Sequence, residues 1–266
     1  MTTNRHERVF ARRLPEIIEE AIAVLRQDLP EYMLIGLVGA FAACMAVIIP
    51  ALIGGPVALA LIAPMFVIIA VGTLATSAAA LEVGANQMQP DAARAFTAAG
   101  LRSIAVLRPW LPLVVALGAA SFAAAALAPH LGPVPPEAII LSLVLASGAY
   151  ALPRCLYATA LFERDLSARE ALSVSAGLVR RATRTFAAAW CLVLAPAMIA
   201  AALGALSGFN TATGAVVAVL FVGAMPAGAA IMSQLFIDAA APIETALTLA
   251  TQAKRGKPAR IAQRRG

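Results

Sequence analysis

The sequence predicts an all-α fold, a polytopic membrane bundle of six transmembrane helices in three hairpins with amphipathic helices at the cytoplasmic interface. Three observations carry this expectation. The 266-residue chain is 61% hydrophobic and 13% charged, with a mean hydropathy of +0.86, whereas soluble domains carry about a quarter charged residues. Six apolar runs approach or exceed the roughly 20 residues that cross a hydrocarbon core about 30 Å thick. Apart from Arg154, Lys and Arg fall only at the two ends of the chain and in alternate connections between those runs.

Taken in order, "LPEIIEEAIAVLRQDLP" predicts an amphipathic helix over 15–29, with Ile18, Ala21, Ile22, Leu25 and Leu29 opposite Glu16, Glu19, Glu20, Arg26 and Gln27. Its Pro15 suits a first helical turn, where the missing N–H costs nothing. The runs Tyr32–Ile53 and Val57–Leu81 follow as the first hairpin, closed by a short Gly-Gly-Pro turn. "PDAARAFTAAGLRSIAVL" predicts a second amphipathic helix over 90–107, with Ala93, Phe96, Gly100, Ile104 and Leu107 facing one way and Asp91, Arg94 and Arg102 the other. Trp110–Ala128 and Ala138–Phe162 form the second hairpin.

Ser167 and Glu170 have capping-box spacing and start a third amphipathic helix over 168–184. Ala171, Leu172, Ser175, Leu178, Val179 and Ala182 make its apolar face, and Arg169, Arg180, Arg181 and Arg184 its polar one. Read alone, this helix lies in the interface with its apolar face toward lipid. Phe186–Leu206 and Gly214–Ile237 make the third hairpin, and a fourth amphipathic helix occupies 242–252. The membrane domain is residues 1–252, and 253–266 a basic disordered tail. No convincing cleavable leader precedes the first run.

Basic loops stay cytoplasmic, so the arginines before the first span, between the second and third, between the fourth and fifth and after the sixth place both termini on the cytoplasmic side of an inner membrane. That topology, with anionic lipid as partner, accounts for the net charge of +6 and excludes any need for nucleic acid. The shared Ala of "ARAF", "REAL" and "ETAL" (Ala95, Ala171, Ala246) recurs at intervals of about 75 residues, which predicts parallel repeats about a pseudo-three-fold axis.

Small residues at four-residue spacing, Gly36 and Ala40, Ala119 and Ala123, Ala201 and Ala205, and Gly223 and Ala227, predict close helix packing. Intramembrane charge is scarce. Arg154 is the one basic residue inside a span, nine residues before Glu163, so its side chain would snorkel toward the cytoplasmic interface with Asp238 as partner. Arg154, Asp238 and Glu163 are the candidate polar site; Arg94, Arg102, Arg169, Arg180, Arg181 and Arg184 are the candidate lipid contacts. Thr73, Thr76 and Ser77 bond either across helices or back to their own carbonyls. Cys44, Cys155 and Cys191 read as small buried hydrophobes, and no phosphate loop, metal motif or catalytic constellation is present, so neither cofactor nor enzyme is expected.

An acidic residue at the end of a span, a short polar turn, then a small residue and Leu on an amphipathic helix (Glu163, Ser167, Ala171, Leu172, Ser175) resembles bacterial six-helix membrane proteins. These include the membrane domain of some glycerophosphodiester phosphodiesterases. The resemblance implies a lipid-contacting or partner-contacting membrane module; the catalytic barrel of those enzymes is missing, so their activity does not carry over. The leading expectation is a non-catalytic membrane module that binds anionic lipid and a protein partner or further copies of itself. The alternative is a transporter or permease subunit with a pathway between the hairpins.

Overall fold

A computed structural model describes residues 12–53, 55–87, 91–131, 148–164, 166–193 and 220–255, and among these the chain is helical throughout, without a strand. The helices are α1 (Leu14–Gln27), α2 (Leu29–Ile53), α3 (Gly55–Gln87), α4 (Ala92–Leu101), α5 (Ser103–Leu107), α6 (Leu111–Leu131), α7 (Tyr157–Glu163), α8 (Ala168–Arg181) and α9 (Met225–Arg255). Residues 148–151 and 183–193 are also helical.

Four stretches are long and apolar enough to cross a membrane: Leu29–Ala46, Pro64–Val83, Ser103–Ala123 and Val222–Ala240. They overlap the first, second, third and sixth predicted runs. Much of the fourth and fifth runs, 138–147 and 194–206, lies outside the described residues, as do Ala201 and Ala205.

Helix α3 is the hub, packed against α2, α4, α6, α7 and α9. It can sit there because one flank is almost all alanine: Ala75, Ala78, Ala79 and Ala80 are buried, letting neighbouring backbones come close. Thr73, Thr76 and Ser77 on the same helix donate to the carbonyls of Ile69, Gly72 and Thr73, each at 2.9 Å, so they bond back and not across. A smaller cluster joins Ala40 and Ala43 of α2 to Met225. Of the other small-residue pairs, Gly36 is buried, whereas Ala119, Ala123 and Gly223 face outward. The close contact in α9 falls instead at Gly228, where a Cβ would lie 2.7 Å from Val193 Cγ1.

Proline decides where the predicted spans depart from straight helices. The fourth run is interrupted by a 3-10 turn over Leu152–Arg154 and a turn at 155–156, because Pro153 has no N–H for the carbonyl one turn back. A π-helical turn, Leu220–Ala224, precedes Pro226, which likewise cannot bond to Val222. Pro242 has a different outcome: α9 runs unbroken through it to Arg255, so the last span and the predicted helix over 242–252 are one helix. A single proline removes one bond, and the flanking turns hold. The predicted basic tail is helical as far as Arg255, and 256–266 lie outside the described residues. α6 continues through His130 into the predicted outer connection.

The amphipathic helices α1, α4 and α8 share one construction. Asp28 ends α1 at φ −129° and ψ 38°, Arg102 ends α4 at −105° and 12°, and Ala182 ends α8 at −139° and 47°. In each case a single non-helical residue separates the amphipathic helix from the next one. The predicted helix over 90–107 is therefore two, α4 and α5. The apolar face of α8 is as expected, with Ala171, Ser175, Leu178 and Val179 buried, but it packs on α7 and the Pro153 turn. Its apolar surface is spent on protein and not on lipid. On α4 and α5 the break rotates the packed face onto Ala92, Ala95 and Val106, leaving Leu101 and Ile104 85% and 83% exposed.

Candidate functional site

Two polar assemblies stand out from this apolar frame. The first ties the amino-terminal helix to the last one. Arg12, just before α1, donates from Nε to both carboxylate oxygens of Asp238 at 3.0 and 3.1 Å and from Nη2 to Oδ1 at 2.5 Å. Gln234 Oε1 accepts from the same Nη2 at 3.5 Å, and Glu20 pairs with Nη1. The Asp238 side chain is 7% exposed, so its charge stays inside the fold because a guanidinium fork meets it there. The hydrogen bond to Asp238 raises the Arg12 pKa against the opposing effect of burial, and Arg12 stays charged throughout the working pH range. Asp238 is thus the partner of Arg12, not of Arg154. The sequence held no local signal for this pair, whose members lie 226 positions apart.

The second assembly is a seam between the α4–α6 segment and residues 148–163, which run antiparallel to it. From one end to the other, Arg102 Nη1 donates to the Leu161 carbonyl at 2.7 Å, the Tyr157 hydroxyl to the Ala105 carbonyl at 2.5 Å and the Tyr150 hydroxyl to the Pro109 carbonyl at 2.7 Å. Each acceptor has a reason to be free. Leu161 lies in the last turn of α7, where carbonyls lack helical donors, and Ala105 lies four residues before Pro109, which has no N–H to give. Ser175 of α8 donates to the carbonyl of Pro153 itself, at the break in the helix, at 2.9 Å. The search for such donors starts from the sequence: every proline in a span orphans a carbonyl one turn earlier.

Arg154 sits in the middle of this seam. Its Nη1 donates to the Tyr150 carbonyl at 2.7 Å, its guanidinium carbon lies 3.6 Å from the centre of the Tyr150 ring, and its buried Nε has no acceptor. It turns back along its own chain toward Tyr150, away from Glu163, as helical side chains lean toward the amino terminus. The expected reach toward Glu163 is therefore not the conformation adopted. The Glu163 side chain lies outside the described residues. Trp110 stands 6.4 Å from Tyr150, ring centre to ring centre.

Of the predicted lipid contacts, Arg169, Arg180, Arg181 and Arg184 are exposed. Arg94 is exposed and pairs with Asp91 at 3.2 Å. Arg102 is committed to protein, through Leu161 and the Phe162 ring 5.7 Å away. Cys155 is buried and Cys44 half-buried, but Cys191 faces outward. Among the described residues no group of His, Cys, Asp and Glu converges to hold a metal ion.

No family model, curated protein or solved structure matches this chain.

Proposed function

We propose that this chain is a non-catalytic module of the cytoplasmic membrane whose amphipathic helices form a basic collar that gathers anionic lipid at the inner face. The observation that carries the reading is the threefold recurrence of an amphipathic helix, a one-residue bend and an apolar helix, at Asp28, Arg102 and Ala182. A bend of that kind lets one helix lie along a surface while the next enters it. On α8 the packing supports the same reading: the apolar face is used on protein, so Arg169, Arg180 and Arg181 are held outward where lipid phosphates lie, and Arg184, two residues past the bend, is exposed beside them in sequence. In this reading the chain has six spans in three hairpins and both termini in the cytoplasm.

The experiment is to extract the protein with its surrounding lipid in polymer-bounded discs and compare their composition with the bulk membrane. Anionic lipid is expected to be enriched about threefold, with each arginine near the surface contributing about 1 kcal/mol. Replacing these four arginines, three on α8 and Arg184 just after it, by Gln should remove most of the enrichment. Bulk composition around the unaltered protein overturns the reading.

A second reading, a transporter subunit, is favoured by the burial of Asp238 in an apolar helix, at a position about four turns after a π-helical turn opens that helix; buried acids and π-turns are both common at functional sites. Dye-loaded proteoliposomes that show a proton flux abolished by Asp238→Asn would establish it; absence of flux leaves the first reading standing.

A further inference from the structure

We infer that the seam holds one phospholipid, its anionic phosphate between Arg108 and Arg154 and one acyl chain along the outer face of α6. The inference rests on the proposed membrane-module reading and adds a specific site to it.

The first argument is charge. Arg154 is half-buried, and it meets a ring face and one backbone carbonyl but no carboxylate. None of the ion pairs among the described residues involves Arg154 or Arg108. A guanidinium in an apolar chain without a counter-charge is costly, and an anion supplied from outside removes that cost. Arg108 is exposed, and Tyr150 ties the Arg154 turn to Pro109, the residue next to Arg108. Arg108 and the Arg154 turn therefore border one short stretch of the seam.

The second argument is depth. Half-buried Tyr150 lies here beside the buried Trp110, and a Tyr partly open to its surroundings, apolar in body and polar at its tip, marks the headgroup level of a bilayer.

The third argument is the surface that continues from Arg108. Leu111, Val115 and Phe122 are 52%, 67% and 49% exposed, and with exposed Ala119 they form one stripe down α6. At 1.5 Å per residue the stripe is about 17 Å long, close to half of a hydrocarbon core of about 30 Å. That is the reach of one acyl chain in one leaflet. A basic pair at the headgroup level that leads into an apolar stripe of single-leaflet length fits a phospholipid better than a free phosphate.

The test uses the full chain reconstituted in nanodiscs of phosphatidylglycerol and phosphatidylcholine, then released into detergent and weighed by native mass spectrometry. One phosphatidylglycerol should stay bound per chain. Arg154→Gln and Arg108→Gln should each weaken its retention about tenfold or more, the worth of one charge-assisted hydrogen bond, while Arg154→Lys should keep part of it. Arg108 is exposed, so its variant decides the matter if Arg154→Gln fails to fold. Retention that is unchanged in Arg108→Gln and in folded Arg154→Gln overturns the site. So does equal retention of phosphatidylcholine, or displacement of the lipid by an equal concentration of soluble glycerol phosphate. If the α8 arginines and Arg184 still enrich anionic lipid in the discs, only this site has failed; if that enrichment is also absent, the module reading has failed with it.

Discussion

At the scale of single residues, the arginines divide by what they meet. Arg12 meets a buried carboxylate, and its loss would strand that charge. In a double-mutant cycle of Arg12→Gln and Asp238→Asn, read by denaturant unfolding in detergent, we expect a coupling of about 1–3 kcal/mol; additive effects would mean the contact contributes nothing. Glu170 shows the opposite, a surface carboxylate whose role is local. The Ser167 hydroxyl donates to it at 2.6 Å and the Ser167 N–H at 3.1 Å, which holds its pKa below the usual carboxylate range. A carboxyl group whose pKa falls on folding stabilises the fold above its unfolded value, and the effect is lost as pH falls through the folded value. Amide exchange in the first turn of α8 should therefore quicken as pH drops through that acid window. Ser167→Ala should return the Glu170 pKa, followed by NMR, toward its ordinary value. The capping box was legible from its spacing alone, since both members lie within one turn; the Arg12 pair was not, because no local pattern encodes a contact between the two ends of a chain.

At the scale of elements, the apolar runs announced the helices, and the prolines within them set the details. Whether a proline breaks a helix depends on what satisfies the freed carbonyl, which is a tertiary matter. Tyr157 serves Ala105, the carbonyl one turn before Pro109, while Ser175 holds the chain at the Pro153 break through that residue's own carbonyl. Helix α9 crosses Pro242 intact, so composition alone could not separate the two outcomes. Faces were legible where the helix is regular, as in α8, and misread where a hidden bend rotates them, as at Arg102. Glycines give a paired prediction. Gly228→Ala places a methyl group against Val193 in a close crossing and should destabilise the protein by about 1–3 kcal/mol. Gly177→Ala lies on exposed α8 with nothing within 4 Å of the added Cβ and should stabilise by about 0.5–1 kcal/mol. Thermal unfolding in one detergent compares both with the unaltered chain; equal effects would contradict the packing described.

At the scale of the whole molecule, a central α3 bordered by alanine gathers the apolar helices, and the amphipathic helices join it through one-residue bends. The proposed collar on one side of the membrane rests on the positive-inside pattern of the sequence and on the recurrence of the bends. That sidedness is the central claim, and labelling tests it most directly. In a chain with its three cysteines replaced, single cysteines introduced as Arg94→Cys on α4 and Arg180→Cys on α8, both at exposed positions, are treated with a membrane-impermeant maleimide in sealed vesicles of each orientation. Both positions should react in inside-out vesicles and stay protected in right-side-out ones; reaction of the two from opposite sides would contradict the account.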